Sequence, residues 1–210
     1  MGHAYQSPVR RRDVLAGLVK QLGAKTFVEV GCKEGRTCGA LLKEFPELRV
    51  IAIDPWAPVP NSDEDYKGWD FEAIEREFWE NVGAAKDRVT MLRRTSESAS
   101  DCFNVESDVA RAILYTSENG MNAAQFEVFD PIDIVFIDAA HDHDNVIADI
   151  HAWWPIVRSG GYLCGHDYQH KFPGVMRAVA DCFPLLRVAV CPDSVWVVQK
   201  DDCIELREAA

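Results

Sequence analysis

The chain has 210 residues, 48% hydrophobic and 27% charged, an ordinary globular composition long enough for one sizeable core in a single domain over 1–210. Lys and Arg number 22 against 34 Asp and Glu; the net charge of −12 repels phosphate backbones and anionic lipid, which argues against a nucleic-acid or membrane-surface role, and the short basic cluster Arg10-Arg11-Arg12 does not reverse it. No apolar run approaches the roughly 18 residues of a spanning helix and no apolar stretch near Met1 resembles a signal peptide, so the expectation is a soluble cytoplasmic protein with no membrane partner.

Along the chain, short apolar runs alternate with segments of helical period. Ser7-Pro8 is expected to cap and start a first helix, with Val14, Leu15, Leu18, Val19 and Leu22 on one stripe and Gly23 as its stop. A strand Thr26–Val30, a helix Thr37–Phe45 ending at Pro46 and a strand Arg49–Ile53 follow. Phe71, Ile74, Phe78 and Val82 mark the next helix. Strands are then expected at Val89–Leu92, Asp133–Ile137 and Gly161–Cys164, with a helical stripe Val146, Ile150, Trp153 and Val157 between the last two. Trp153 and Trp154 read as packing residues. Pro173 starts a further helix, with Val175, Val179 and Phe183 inward, before strands Arg187–Cys191 and Val195–Gln199.

Several strands are apolar at consecutive positions, as in Ile134-Val135-Phe136-Ile137, which suits a parallel sheet covered on both faces. Only Pro192-Asp193-Ser194 separates the last two strands, too little for a parallel crossover, so they should form an antiparallel hairpin. The expected fold is a doubly wound α/β sheet of seven strands, mostly parallel, with one reversed strand at its end. Two connections, at about 55–88 and 104–130, are longer than such a unit needs. The first carries Trp56, Tyr66, Trp69, Phe71 and Trp79 and reads either as surface decoration or as an aromatic lid over the site. Seven cysteines without a CxxC pair, mostly in apolar runs, read as reduced structural thiols.

In such sheets ligands bind beyond the carboxyl ends of the strands. The first strand runs into Glu29-Val30-Gly31-Cys32-Lys33-Glu34-Gly35-Arg36-Thr37, where glycine permits a sharp turn close to a ligand. The pattern is E-x-G-x-x-x-G, not the GxGxxG of a dinucleotide cradle. Asp54 ends the second strand, where an acid can accept both hydroxyls of a ribose. Turn and acid in this order favour a nucleoside cofactor.

The chain resembles the class I S-adenosylmethionine-dependent methyltransferases, in their small-molecule O-methyltransferase branch. The resemblance runs from FVEVGCKEGRT through IAIDPW and DIVFIDAAHDHDNVIADIHAWWPIVRSGGYLCGHDY to GVMRAV and VWVVQK. It implies a Rossmann-like methyltransferase fold in which Glu29, Gly31 and Gly35 hold the methionine part of S-adenosylmethionine, Asp54 the ribose, and Ser96 with Glu97 the adenine. The segment 104–130 departs from it by its length.

All histidines except His3 lie between His141 and His170, so this half holds the titratable chemistry. Adjacent strand ends lie roughly 5 Å apart, so Asp138, His166 and Asp167 are expected to converge. In metal-dependent members of the family, acidic or amide side chains at these places bind a divalent cation. His166 suits Mn²⁺, Fe²⁺ or Zn²⁺ better than Mg²⁺. Without a metal, Asp138 would cap the next helix and His166-Asp167 would close the loop as a charged pair; His143, His151 and His170 are expected to face solvent. His141 lies where related catechol-type enzymes place a basic side chain and is the candidate catalytic base, with Asp138 beside it. The expected activity is methyl transfer to a hydroxyl of a small molecule, of sugar or natural-product type. A nicotinamide-dependent oxidoreductase and a non-catalytic binding module on the same fold remain the alternatives.

Overall fold

The computed structural model describes residues 9–59, 65–103, 132–201 and 203–206. In chain order the elements are α1 (Arg11–Leu22), β1 (Thr26–Val30), α2 (Arg36–Glu44), β2 (Arg49–Ile53), α3 (Phe71–Val82), β3 (Val89–Leu92), α4 (Ser96–Asp101), β4 (Ile132–Ile137), α5 (His143–Trp153), β5 (Val157–Gly165), α6 (Pro173–Cys182), β6 (Ala189–Cys191) and β7 (Val195–Gln199). They build one seven-stranded sheet of order β3-β2-β1-β4-β5-β7-β6. The pairs from β3 across to β5 are parallel, and β7 runs antiparallel to both β5 and β6. The reversed strand is therefore the last in sequence, as the short Pro192–Ser194 link requires.

Successive side chains of a strand point to opposite faces, and here the two sets enter two separate cores. Val28, Val30, Ile51, Ile53, Val135 and Ile137 pack with Ala99, Ile150, Trp153 and Val179 of α4, α5 and α6. Phe27, Val50, Ala52, Ile134 and Phe136 pack with Leu15, Leu41 and Phe78 of α1, α2 and α3. Helices on both faces explain why β1 and β4 are buried at every residue. Chain order reverses at the β1–β4 pair, which opens a cleft above their carboxyl ends.

Several boundaries differ from expectation. Helix α1 begins at Arg11 with Arg10 as its N-cap, and Asp13 accepts the Arg10 N–H at 2.8 Å; Ser7 and Pro8 lie outside the described residues. Val157 starts β5 opposite Ile132 instead of finishing a helical stripe, because α5 stops at Trp153 ahead of Pro155. Strand β6 is shorter than Arg187–Cys191, since Leu185–Arg187 forms a 3₁₀ turn. Trp153 and Trp154 are buried in the core. The segment 104–130, expected as an insertion, lies outside the described residues.

Candidate active site

Above the ends of β1, β2 and β4 lies a cavity of about 700 Å³. Gly31, at φ +85°, forms the turn out of β1, and a Cβ there would sit 2.2 Å from the carbonyl oxygen of Asp138. Only glycine lets the β1 and β4 ends approach this closely. Two residues before this turn, Glu29 is 2% exposed and accepts a hydrogen bond from the Cys38 thiol at 2.6 Å. Burial pushes its carboxyl up to about 7, against the pull of that bond. Burial likewise pushes the Cys32 thiol to about 12 and Cys38 well above its ordinary value, so both are neutral thiols beneath the loop.

Asp54 follows β2 and is anchored on both oxygens: Oδ2 accepts the Lys33 N–H at 2.9 Å and Oδ1 the Trp56 N–H at 2.8 Å. Each carboxylate oxygen keeps a further lone pair for a ligand hydroxyl. Burial raises the Asp54 pKa, opposed by these two bonds. Ser96 and Glu97, at the start of α4, complete this side of the wall. Gly35 does not line the cavity; at φ +68° it packs under the Phe78 ring, where a Cβ would meet the ring at 2.5 Å. Its place is to set the entry into α2. Tyr66, Trp69 and Phe71 form an aromatic cluster facing the cavity, with the Lys33 ammonium 4.0 Å from the Trp69 ring centroid. These three of the five aromatic residues border the cavity, whereas Trp56 and Trp79 pack edge-on to Phe78 below.

The other side is crowded with charge. Backbone hydrogen bonds from Asp138 to Val30 (2.8 Å) and from His166 to Ile137 (3.0 Å) tie the strand ends together and bring Asp138, His166 and Asp167 to one point. Their ligand atoms lie within 4.8 Å of one another. His166 Nδ1 is 3.1 Å from Asp167 Oδ2 and 3.5 Å from Asp138 Oδ1, and His141 Nε2 lies 3.0 Å from Asp167 Oδ2. Phe172 stacks on the His141 ring at 4.2 Å, which fixes the plane of the imidazole. Asp167 adopts a left-handed backbone, φ +59°, to turn its carboxylate toward both histidines. Burial raises Asp167, but the two histidines outweigh it and hold the carboxyl well below the usual carboxylate range. Burial lowers His166, and its bond to Asp167 with the field of Asp138 outweighs that, so its pKa is raised. Asp138 is raised by burial, opposed by Arg11 and His166.

Every expected site residue except Gly35 thus borders the cavity or the adjoining charged cluster. Asp138 does not cap α5; Asp142 does, accepting the Asn145 N–H at 3.1 Å. His170 is exposed, while His143 pairs with Asp144 and Asp181 and His151 has its Nε2 buried. Two residues were missed. Arg11 reaches over from α1 and donates its guanidinium to Asp138 Oδ2; in the sequence it looked like one of three surface arginines. Asp149, buried on α5, lines the cavity, and burial pushes it up to about 7. Its signal was legible as an acid three residues after Val146 and one before Ile150 on an apolar stripe.

A family profile described as a methyltransferase domain matches residues 28–168. The chain belongs to this methyltransferase family, and its fold is that of the class I S-adenosylmethionine-dependent methyltransferases. An uncharacterised protein, R132, of Acanthamoeba polyphaga mimivirus is 26% identical over 162 residues, covering 74% of this chain and 60% of that protein, so the chain spans less than two thirds of the length of this relative. Among solved structures, an O-methyltransferase from Bacillus cereus in complex with SAH superposes with a TM-score of 0.53 at 19% identity, covering 94% of this chain and 84% of that one. An rRNA methylase from Streptococcus thermophilus superposes with a TM-score of 0.56 at 11% identity, covering 93% and 99%. No helix among the described residues is long and apolar enough to cross a membrane.

Proposed function

We propose that the chain transfers a methyl group from S-adenosylmethionine to a hydroxyl of a small molecule, acting as a single cytoplasmic domain. The observation that carries this reading is that one cavity of about 700 Å³ borders both sets of groups: Glu29, Gly31, Asp54, Ser96 and Glu97 on one side, Asp138 and His141 on the other. Volume and wall chemistry fit the cofactor. The close approach at Gly31, the half-neutral acid Glu29 and the doubly anchored Asp54 suit, in turn, a ligand backbone, an ammonium group and a vicinal diol. The cofactor supplies a sulfonium methyl group when bound; the protein supplies alignment and a place for the acceptor's proton.

That place is His141. In the neutral ring the Nε2–H donates to Asp167, which makes Nδ1 the proton-accepting nitrogen, while Asp167 stabilises the imidazolium that forms. Phe172 keeps the ring from turning away. Two carboxylates and one imidazole also fit a divalent first-row ion such as Mn²⁺ better than Mg²⁺. Held by Asp138, His166 and Asp167, such an ion would lower the pKa of a bound hydroxyl. Arg11 already donates to Oδ2 of Asp138, whose Oδ1 faces His166, so its guanidinium is a standing cation that an ion held there would have to tolerate or displace.

The −12 charge and the concave, partly aromatic wall favour a small acceptor over RNA. The test is incubation with deuteriomethyl-labelled cofactor, with and without Mn²⁺, against a panel of hydroxylated sugars and phenols, with ribosomal RNA in a parallel arm. Label on an oxygen of a small acceptor is the expected result. Label on RNA alone, or on nitrogen, would replace this reading.

A further inference from the structure

We propose that Glu29, Cys32 and Cys38 form a binding site for a thiophilic divalent cation of the Zn²⁺ class at the floor of the cavity, and that this ion and the cofactor exclude one another. The exclusion rests on the reading above, in which Glu29 takes the cofactor's ammonium group; the site itself does not.

Among the described residues, two groups of three side chains bring ligand atoms close enough for one ion, and only this group contains sulfur. A carboxylate oxygen and both Sγ atoms lie within 4.8 Å of one another, with Cys38 Sγ 2.6 Å from Glu29 Oε2. Three pieces of backbone deliver them: Glu29 stands in β1, Cys32 in the turn beyond it, and Cys38 is the third residue of α2. Around a tetrahedral Zn²⁺ two sulfurs and an oxygen stand roughly 3.5–3.8 Å apart, so side-chain shifts of about 1 Å close the site. One thiol is enough to anchor Glu29. The second already has the Glu29 and Ile53 carbonyl oxygens at 3.1 and 3.3 Å; it adds nothing to that anchor, but it supplies a second soft ligand.

Two thiolates select Zn²⁺ over the hard Mg²⁺, and the first turn of α2 favours a thiolate at Cys38. Burial keeps both thiols protonated without an ion. Binding therefore breaks two S–H bonds, forms two sulfur–metal bonds and releases the protons to solvent, with a third from Glu29 where its carboxyl is protonated. No electron is transferred. Glu29 and Cys32 line the cavity and Cys38 lies behind them, so the ion enters from the cavity and keeps its fourth position toward it. With its carboxylate on the ion, Glu29 no longer offers the charge that an ammonium group needs, and the two cations repel in a buried wall.

The experiment titrates Cd²⁺, a spectroscopic stand-in for Zn²⁺, into the fully reduced whole chain and follows the thiolate-to-metal charge-transfer absorption, which the sulfur-free cluster at Asp138 cannot produce. One tight equivalent per chain is expected, displaced by Zn²⁺. S-adenosylhomocysteine at ten times its own dissociation constant should weaken Cd²⁺ binding about 10-fold, the mass-action value for exclusive ligands. Cys32→Ser and Cys38→Ser keep a hydrogen-bonding hydroxyl and remove only a soft ligand. Each is expected to lose at least about 100-fold in affinity, since even outer-shell partners of a metal carry 10–100-fold. Cys191→Ser and Cys203→Ser are expected to change nothing. Absence of the band, or serine variants at positions 32 and 38 that bind as the wild type does, would overturn the site and leave the proposed function standing. A band indifferent to S-adenosylhomocysteine that does bind would overturn the exclusion. A chain that shows the band but does not bind S-adenosylhomocysteine would overturn the proposed function and uphold the site.

Discussion

The two sides of the cavity solve different electrostatic problems. On the nucleoside side the acids are anchored mainly by neutral donors, Glu29 by a thiol and Asp54 by two backbone N–H groups, with Asp149 beside the Ser96 hydroxyl and with Arg11 and Lys33 acting on Glu29 and Asp54 only as weaker opposition to burial. All three are pushed up by burial. On the acceptor side Asp138 and Asp167 are pinned by Arg11, His141 and His166, and Asp167 is driven down. The difference teaches that a site can be acidic on both sides and still divide its work. Weakly charged acids wait for the donors and cation of a ligand, while a fully ionised one holds a proton acceptor in register.

Removing the proton acceptor breaks the acceptor side most severely. His141→Gln keeps a hydrogen bond to Asp167 but cannot become cationic, so kcat should fall by roughly 10²–10⁴-fold, with the affinity for S-adenosylhomocysteine unchanged. The loss should be larger for an aliphatic alcohol than for a phenol, whose hydroxyl ionises near pH 10. A variant keeping more than about a tenth of wild-type kcat, with chemistry rate-limiting, would strip His141 of this role.

The nucleoside side is exposed by its pH dependence. Glu29 ionises at 4.5 in an unfolded chain and at about 7 in the folded one, so the folded state holds the proton between those values. Its contribution is therefore full below pH 4.5 and is lost as the pH rises to 7, by up to about 3 kcal/mol. Asp149, shifted from 3.8 to about 7, adds a slope of the same sign. Glu29→Gln should flatten part of the slope and melt higher than the wild type at pH 8 without ligand, in thermal scans from pH 5 to 8. An unchanged slope would mean that Glu29 stays ionised. A smaller effect separates the two cations at Asp138: Arg11→Met frees the Oδ2 oxygen and should tighten Mn²⁺ binding to the ligand-free chain by about tenfold, the scale of one charge-assisted hydrogen bond. Weaker or equal Mn²⁺ binding would mean that Arg11 and the ion do not compete.

The same contrast explains what could be read from the sequence. The nucleoside side was legible because its parts are local: a glycine turn after β1, an acid after β2 and a helix start after β3 follow one another along parallel strands of the sheet. Asp138, His166 and Asp167 were legible for the same reason, each standing just past a strand end. Arg11 was not, because α1 reaches the β4 end through packing of Leu15 and Val19 on the opposite sheet face, and no spacing along the chain encodes that reach. Gly35 carried the right motif with a different job, since a positive φ serves a close packing contact as well as a ligand cradle. The missed Asp149 broke the apolar rule for a buried helix face, and that exception was the signal.

The division of the site into a nucleoside side and a proton-accepting side is tested most directly by titrating S-adenosylhomocysteine into the wild type, Asp54→Ala and His141→Gln under one condition. The account predicts one site in the wild type, at least about 10-fold weaker binding in Asp54→Ala from the loss of charge-assisted bonds to the ribose, and affinity within twofold of wild type in His141→Gln. Equal affinity in a folded Asp54→Ala, or a loss in His141→Gln as large as in Asp54→Ala, would contradict it.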